Sequence, residues 1–394
     1  MNDWCSYYFK IPGLMIMVMV VLPVRGFTQI SDQLRISGYT EALPIHMNFE
    51  LPQPFGEQNY FEFRLQNRLN LQWYAGDNFT FNWEMRTRLF TGDLVKDFPG
   101  YAASIDSDDG LVNLSWLIAD EESWFLHYIP DRLYGEWANN DWSIRVGRQR
   151  INWGINMVTN PNDLFNIYSF YDFAYPERPG ADAIRVQHFL DFASRIEFAV
   201  SPARELKETV VAMLWSFNRS EYDFQLIGGY YKNRIAFGGG WAGSLNQTGF
   251  KGEITVFYDI EQSANNRDLS VVSALSVDHM FDNSLFVIAE LLYNSAGGQN
   301  QFSVLGEPLS ADNPSFSTYQ VLVQLNYPIS PIMNGSIAGI WYPDEEGLFI
   351  TPTLTRSLAE NLDLQLTAQL FTGSDTSPFS GGGRILAGSL KWSF

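Results

Sequence analysis

Guanidinium groups recur at alternate positions in two neighbouring stretches of the chain. From Tyr60 to Trp73 the even positions include Glu62, Arg64, Gln66, Arg68, Asn70 and Gln72. The odd positions are Phe61, Phe63, Leu65, Asn67, Leu69, Leu71 and Trp73. The next stretch sets Phe79, Phe81, Trp83, Met85 and Leu89 against Asn82, Glu84, Arg86 and Arg88. Successive side chains of a strand point to opposite faces, so each stretch has one apolar and one charged face. Arg35, Arg132, Arg185 and Arg195 extend the charged face, together with Glu136 and Glu197. Arg145, Arg148 and Arg150 join it without sharing one parity. Either a bulge near Gly147 shifts the register, or Arg148 and Arg150 lie beyond the wall. Two chemistries fit this face. Opposite charges pair across strands and stiffen a wall, or a row of guanidiniums guides anionic and polar solutes.

The residues that could answer these arginines lie in one long connection, residues 152–180. It contains Asn160-Pro161-Asn162-Asp163 and the aromatics Tyr168, Phe170, Tyr171, Phe173 and Tyr175, and ends in Pro176-Glu177-Arg178-Pro179-Gly180. A loop this long is usually functional or disordered, and its aromatic density argues against disorder. The expectation is that it folds inward or caps a mouth, setting Asp163, Asp172 or Glu177 against the arginines. A packed external lid is the alternative.

Other chemistry finds less support. The four histidines are His46, His127, His188 and His279, and nothing in the sequence fixes a serine beside one of them. There is no Gly-x-Ser-x-Gly elbow. Asp106-Ser107-Asp108-Asp109-Gly110 hints at calcium, but its spacing departs from the EF-hand loop and the closing Glu is missing. The reading is therefore no enzyme, no cofactor and no metal.

The elements that must position the arginines are strands. Alternating segments recur about 18 times, or about 16 if two Gly-rich segments merge, which suits an antiparallel transmembrane β-barrel. The first are expected at residues 33–43, 59–74, 78–91, 128–137 and 141–151, and the last at residues 384–394. Every second connection is short and rich in Asp, Asn, Ser, Gly or Pro, as at residues 75–77, 138–140 and 282–283. The long ones, residues 92–127, 152–180, 295–317 and 372–383, all fall in the other class. A soluble sandwich has no reason to sort loop lengths by parity, whereas a barrel with short periplasmic turns and long outer loops does. Residues 111–119 also alternate; counting them alone would reverse the later sorting, so they belong to the outer connection or extend the following strand. A barrel this wide leaves an aqueous channel.

Composition agrees. No stretch after Leu22 is long and apolar enough for a spanning helix. Aromatics make up 15% of the chain, and the net charge of -19 argues against nucleic-acid partners. Residues 11–22 form an apolar run of signal-peptide length, so residues 1–28 are expected to be a signal segment and residues 29–394 a single barrel domain. Cys5, the only cysteine, lies ahead of that run.

The last strand places Leu386, Leu390, Trp392 and Phe394 on one face. It resembles the C-terminal strand of Gram-negative outer-membrane barrels, which implies that Trp392 and Phe394 carry the signal read by the barrel-assembly machinery. A second resemblance is carried by Asp131-Arg132-Leu133-Tyr134, by residues 145–154 with Gly147-Arg148-Gln149 and Trp153-Gly154, and by Asn160-Pro161-Asn162-Asp163. These motifs are similar to those of a largely uncharacterised, porin-like family of Gram-negative outer-membrane barrels. The Gln29 start and dense aromatics resemble a Bacteroidota lineage. The resemblance implies an outer-membrane location and the partners that go with it: lipid, lipopolysaccharide, small polar solutes and compatibility with a homo-oligomer. A non-conducting structural or secretion-associated barrel and, further off, a lipid-acting enzyme are the alternatives.

Overall fold

In the computed structural model each alternating segment becomes a strand, and the strands close on themselves. Residues 29–51, 56–108, 110–166, 170–175, 177–261, 269–297, 309–375 and 377–394 are described. The expected signal segment, Tyr168 and Pro176 lie outside them, as does Asp109 of the acidic run. Among the described residues 18 antiparallel strands form a closed barrel. They are β1 Leu34–Leu51, β2 Gly56–Tyr74, β3 Phe79–Gly92, β4 Trp124–Ala138, β5 Trp142–Gln149 and β6 Ala181–Phe189. Next come β7 Arg195–Ser201, β8 Val210–Arg219, β9 Tyr222–Tyr231, β10 Arg234–Leu245, β11 Thr248–Asp259 and β12 Leu269–Met280. The last are β13 Phe286–Asn294, β14 Tyr319–Ser330, β15 Met333–Tyr342, β16 Gly347–Ala359, β17 Leu362–Gly373 and β18 Gly383–Ser393.

Each wall strand pairs with its sequence neighbour, and β18 returns to β1 from Tyr39↔Ser393 to Phe49↔Gly383. The main chain of Phe394 completes the seam, exchanging hydrogen bonds of 2.9 Å in both directions with Gly38. Residues 75–78, 139–141, 220–221, 246–247 and 360–361 make short turns at one end of the barrel. Ser220 and Glu221 both have positive φ, the conformation that lets a two-residue turn follow the twist of its strands.

Several expected boundaries change, and β5 ends at Gln149 rather than at residue 151. β1 runs to Leu51 rather than residue 43 and β2 starts at Gly56 rather than residue 59, because the two strands keep pairing as far as Leu51↔Gly56 and β18 follows β1 up to Phe49. β4 begins at Trp124 rather than Tyr128, because a short strand, Trp116–Glu121, folds back on it. Residues 111–119 thus belong to the outer connection, as the parity of the loops requires.

The outer face is apolar and exposed, with Trp73, Trp83, Leu226, Ile254, Leu291, Trp341 and Leu386 among its members. The inner face buries polar groups such as Glu62, Arg68, Arg86, Gln225, Glu253, Glu290 and Gln369. That inversion is the signature of a barrel with lipid outside. The interior also holds two apolar clusters. One packs Ile151, Trp153 and Leu164 against inward residues of β6 to β13. The other gathers Val158, Phe316 and Phe379 against inward residues of β1 and β14 to β18, including Leu43, Tyr342, Phe349 and Phe371. Packed loops therefore line most of the circumference, and the polar sector that remains is the wall from β2 to β5.

Candidate functional site

The chain leaves β5 and crosses the barrel interior before it re-enters the wall at β6. Ile151 is held by its own loop, its N–H donating to Asn166 Oδ1 at 2.7 Å. Trp153 donates its indole N–H to Glu197 of β7 at 2.6 Å, and its carbonyl accepts from Gln225 of β9 at 2.8 Å. The loop then meets two wall carboxylates. Glu253 of β11 accepts main-chain N–H bonds from Ile155, from Asn156 at 2.8 Å and from Asn162 at 2.9 Å. Glu290 of β13 accepts from Val158 at 3.2 Å and Thr159 at 2.8 Å. Thr255 donates to the Pro161 carbonyl at 2.9 Å, and Ser276 to Asn156 Oδ1 at 3.0 Å. Charge-assisted bonds of this kind are each worth about 1.5–3 kcal/mol.

Beyond Asn166 the loop reaches the opposite sector. Tyr171 hydrogen-bonds Tyr342 hydroxyl to hydroxyl, packs edge-on to Phe349, and accepts from Gln369 at its carbonyl at 2.8 Å. Tyr175 then arrives at the arginine face, where its hydroxyl donates to Asp131 at 2.8 Å and its ring lies 3.4 Å from the Arg86 guanidinium. Arg132 closes the loop by donating to the carbonyls of Glu177 and Arg178 at 2.9 and 2.8 Å.

The arginine face divides into two kinds of residue. Arg68 is spent on Glu84 and, at 2.7 Å, on Asp131, and its side chain is only 3% exposed. Arg148 is 4% exposed and bridges Asp108 and Asp182 at 2.8 and 2.7 Å. Arg185 grips Glu197 at 2.6 Å. These are wall and loop braces. Arg64 pairs with Glu62 yet keeps 22% exposure, Arg145 pairs with Glu136 at 2.8 Å with 28%, and Arg195 lies 3.5 Å from Glu197 with 36%. Arg64 and Arg88 both lie 5.3 Å from the Phe90 ring, and no carboxylate lies within ion-pair distance of Arg86 or Arg88 among the described residues.

The predicted loop acids separate. Asp172 is exposed and within electrostatic reach of Arg64 and Arg88. Glu177 lies 4.0 Å from Arg68. Asp163 does not face these arginines: it is 2% exposed, packed behind the loop beside Glu253. Burial pushes its carboxyl up to about 8, helped by the Glu253 charge and opposed by Arg150 and Arg178. Of the two readings offered for Arg148 and Arg150, the bulge near Gly147 is absent. Gly147 stays in register between Tyr134 and Ala183 with φ 122, and a Cβ there would lie 2.2 Å from the Leu133 carbonyl. The extra residue is in β4 instead, where Asp131 is inserted between the pairs Glu84↔Arg132 and Met85↔Pro130. Arg148 reaches outer-loop residues, its Nη2 donating to the Val112 carbonyl at 2.8 Å. Asp108 there is held below the ordinary carboxylate range: burial acts upward, but Arg148 and the N–H groups of Leu114 and Gly110 outweigh it.

One constellation has the residue types of a hydrolase triad. His127 is buried, with Ser115 Oγ 2.7 Å from Nε2 and Arg88 Nη2 3.0 Å from Nδ1. A guanidinium only donates, so Nδ1 accepts and Nε2 carries the proton. Ser115 therefore receives from His127 and donates to Asp106 at 2.6 Å. The proton order is the reverse of nucleophile activation, in which histidine takes the serine proton. This network ties the outer connection to Arg88. His188 stacks on Trp142 and His279 bonds Thr248 at 3.0 Å, both near the turn end of the wall.

No family model and no curated protein matches this chain. Solved structures do. OccAB4 of Acinetobacter baumannii superposes with a TM-score of 0.58 at 8% identity, covering 93% of this chain and 100% of that one. The outer membrane protein OprD of Pseudomonas aeruginosa gives 0.54 at 8% identity, covering 91% and 93%. OmpF of Salmonella typhi, solved with daunomycin, gives 0.50 at 11% identity, covering 92% and 98%. The fold is that of the outer-membrane porins.

Within this porin fold the lumen loop rests on residues that alternation alone did not single out. Glu253 and Glu290 occupy ordinary inward positions of their strands, and in the sequence only their parity marks them. Gly238 and Gly240 of β10 are a second such feature. A Cβ at Gly238 would lie 2.7 Å from Asn162 Oδ1, and one at Gly240 would lie 3.0 Å from Ile155 Cδ1. The wall is cut back where the loop lies against it.

Proposed function

We propose that the protein is an outer-membrane porin-like channel through which small polar or anionic solutes diffuse. The path runs between the arginine face and the inner loop. The observation that carries this reading is the course of residues 150–166, 170–175 and 177–180. They span the lumen from β11 and β13 to β4, and bring Asp172 and Glu177 opposite Arg64, Arg68 and Arg88. A narrow polar passage with cations on one side and carboxylates on the other orients dipolar solutes, and rings of fixed charge are how pores select ions. Arg64, Arg145 and Arg195 keep exposed side-chain surface and serve as the solute-facing members, with Glu62 the wall partner of Arg64 and Glu84 that of Arg68. The apolar outer face supports residence in the outer membrane, among lipid and lipopolysaccharide. Trp392 and Phe394, at the closing seam, are the residues the assembly machinery would read.

Planar-bilayer recording tests the reading. The purified, folded barrel is expected to open stable channels whose reversal potential in a salt gradient favours anions. A correctly folded barrel that never conducts would sink it.

A further inference from the structure

We infer that Glu253 and Glu290 are positioning residues that latch the lumen loop to the far wall, so that the bore is set by the docked loop rather than by the strands. This rests on the channel reading above and names what determines its width.

The geometry singles out these two carboxylates. Several other inward acids of the wall meet a cation within ion-pair distance: Glu62 meets Arg64, Glu136 meets Arg145, Glu197 meets Arg185, and Asp278 meets Lys251; Glu41 instead meets Gln66 and Ser389 of the wall itself. Glu253 and Glu290 are 2% and 3% exposed. Among the described residues neither has a Lys, Arg or His partner. Their partners are five main-chain N–H groups of the loop, those of Ile155, Asn156, Val158, Thr159 and Asn162. A buried carboxylate without partners is costly, so once the loop covers them the two carboxylates depend on its N–H groups. The dependence is mutual, since the loop's N–H groups have no strand partner there and need acceptors.

The wall is shaped for the same segment. Gly238 and Gly240 leave the space taken by Asn162 and Ile155, and Thr255 and Ser276 supply hydroxyls to it. The remaining charged groups near the latch are Asp163, which presses a third carboxyl against Glu253, Arg150 and Arg178 beside Asp163, and the Lys251–Asp278 pair. The loop's other attachments are Trp153 on Glu197 and Gln225, Tyr171 on Tyr342 and Gln369, and Tyr175 and Arg132 on the arginine face. Releasing the latch would therefore free residues 155–162 and leave both flanks tethered.

Both oxygens of each carboxylate are used, so Glu→Gln removes one acceptor per residue at constant size and sets an NH2 group against an N–H. The loss of two such bonds shifts the docked fraction about tenfold or more. The Glu253→Gln/Glu290→Gln variant is expected to raise single-channel conductance about twofold or more, with folding checked by its heat-dependent gel mobility. A Gly238→Cys/Asn162→Cys pair added to it should restore low conductance when oxidised and release it when reduced. Wild-type conductance from the folded double variant, or a crosslink without effect, would overturn the inference. Docking is read independently of conduction by the rate at which a bulky maleimide labels Thr159→Cys. Labelling should be slow in the otherwise native barrel and at least about tenfold faster with both glutamines. Equal rates overturn the latch even if the barrel proves silent, whereas silence with unequal rates counts against the channel reading alone.

Discussion

Arg68 and Asp131 form a buried ion pair of 2.7 Å, and Asp131 is the residue by which β4 exceeds its partner strand. The bulge turns this one carboxylate inward beside Arg132, where it also accepts from Tyr175 at 2.8 Å. A register irregularity in the wall thus supplies the anchor for the near end of the lumen loop, as Glu253 and Glu290 do for the far end.

Breaking that pair should be felt as stability before selectivity. Asp131→Asn leaves the Arg68 charge buried with only Glu84 and the more distant Glu177, and a lost buried partner costs about 3–5 kcal/mol. The urea midpoint for loss of the compact gel form is expected to fall. An unchanged midpoint would mean that Glu84 and Glu177 compensate in full.

Selectivity should follow exposure along the arginine face rather than arginine count. Charge reversal at Arg64 and Arg195, whose side chains keep 22% and 36% exposure, is expected to move the reversal potential toward cations. Arg148→Glu should leave it near the wild-type value and instead loosen the outer connection, because Arg148 is consumed by Asp108 and Asp182. Equal shifts from all three would refute the division into braces and solute-facing residues.

The docked loop should carry a pH dependence through Asp163. Its carboxyl is raised to about 8 when docked, so docking favours the protonated form. The sign follows from linkage: docking is undiminished below the ordinary carboxylate range and weakens progressively as pH rises toward 8. Conductance is expected to climb across that window, and Asp163→Asn should flatten the climb and keep the loop docked at alkaline pH. A slope identical in wild type and variant would assign the effect to other groups.

Deleting residues 160–175 should widen the passage, since it removes the part of the loop that carries Asn162, Tyr171 and Tyr175, three of its attachments to the wall. Single-channel conductance is expected to rise severalfold, with discrimination between small and large solutes in liposome swelling lost. Unchanged conductance would show that the strand wall itself is the narrowest point.

Strand alternation, the sorting of loop lengths and the terminal aromatic strand are local properties, so the sequence by itself determined the barrel and the inward side of Arg64, Arg68, Arg86 and Arg88, and left the strand count between 16 and 18 to the structure. Period-2 geometry assigns a face without any knowledge of neighbours. What it cannot assign is the partner met across the lumen. Glu253 meets Ile155 across a separation of 98 residues, and nothing local distinguishes it from any inward glutamate. For the same reason Asp163, Asp172 and Glu177 read alike in sequence, although folding buries the first and leaves the other two near the arginines. The bulge at Asp131 and the glycine notch at Gly238 and Gly240 are likewise decided by packing of distant segments. The wall is written along the chain one residue at a time, while the bore exists only after a loop has crossed the closed barrel and found acceptors for its N–H groups.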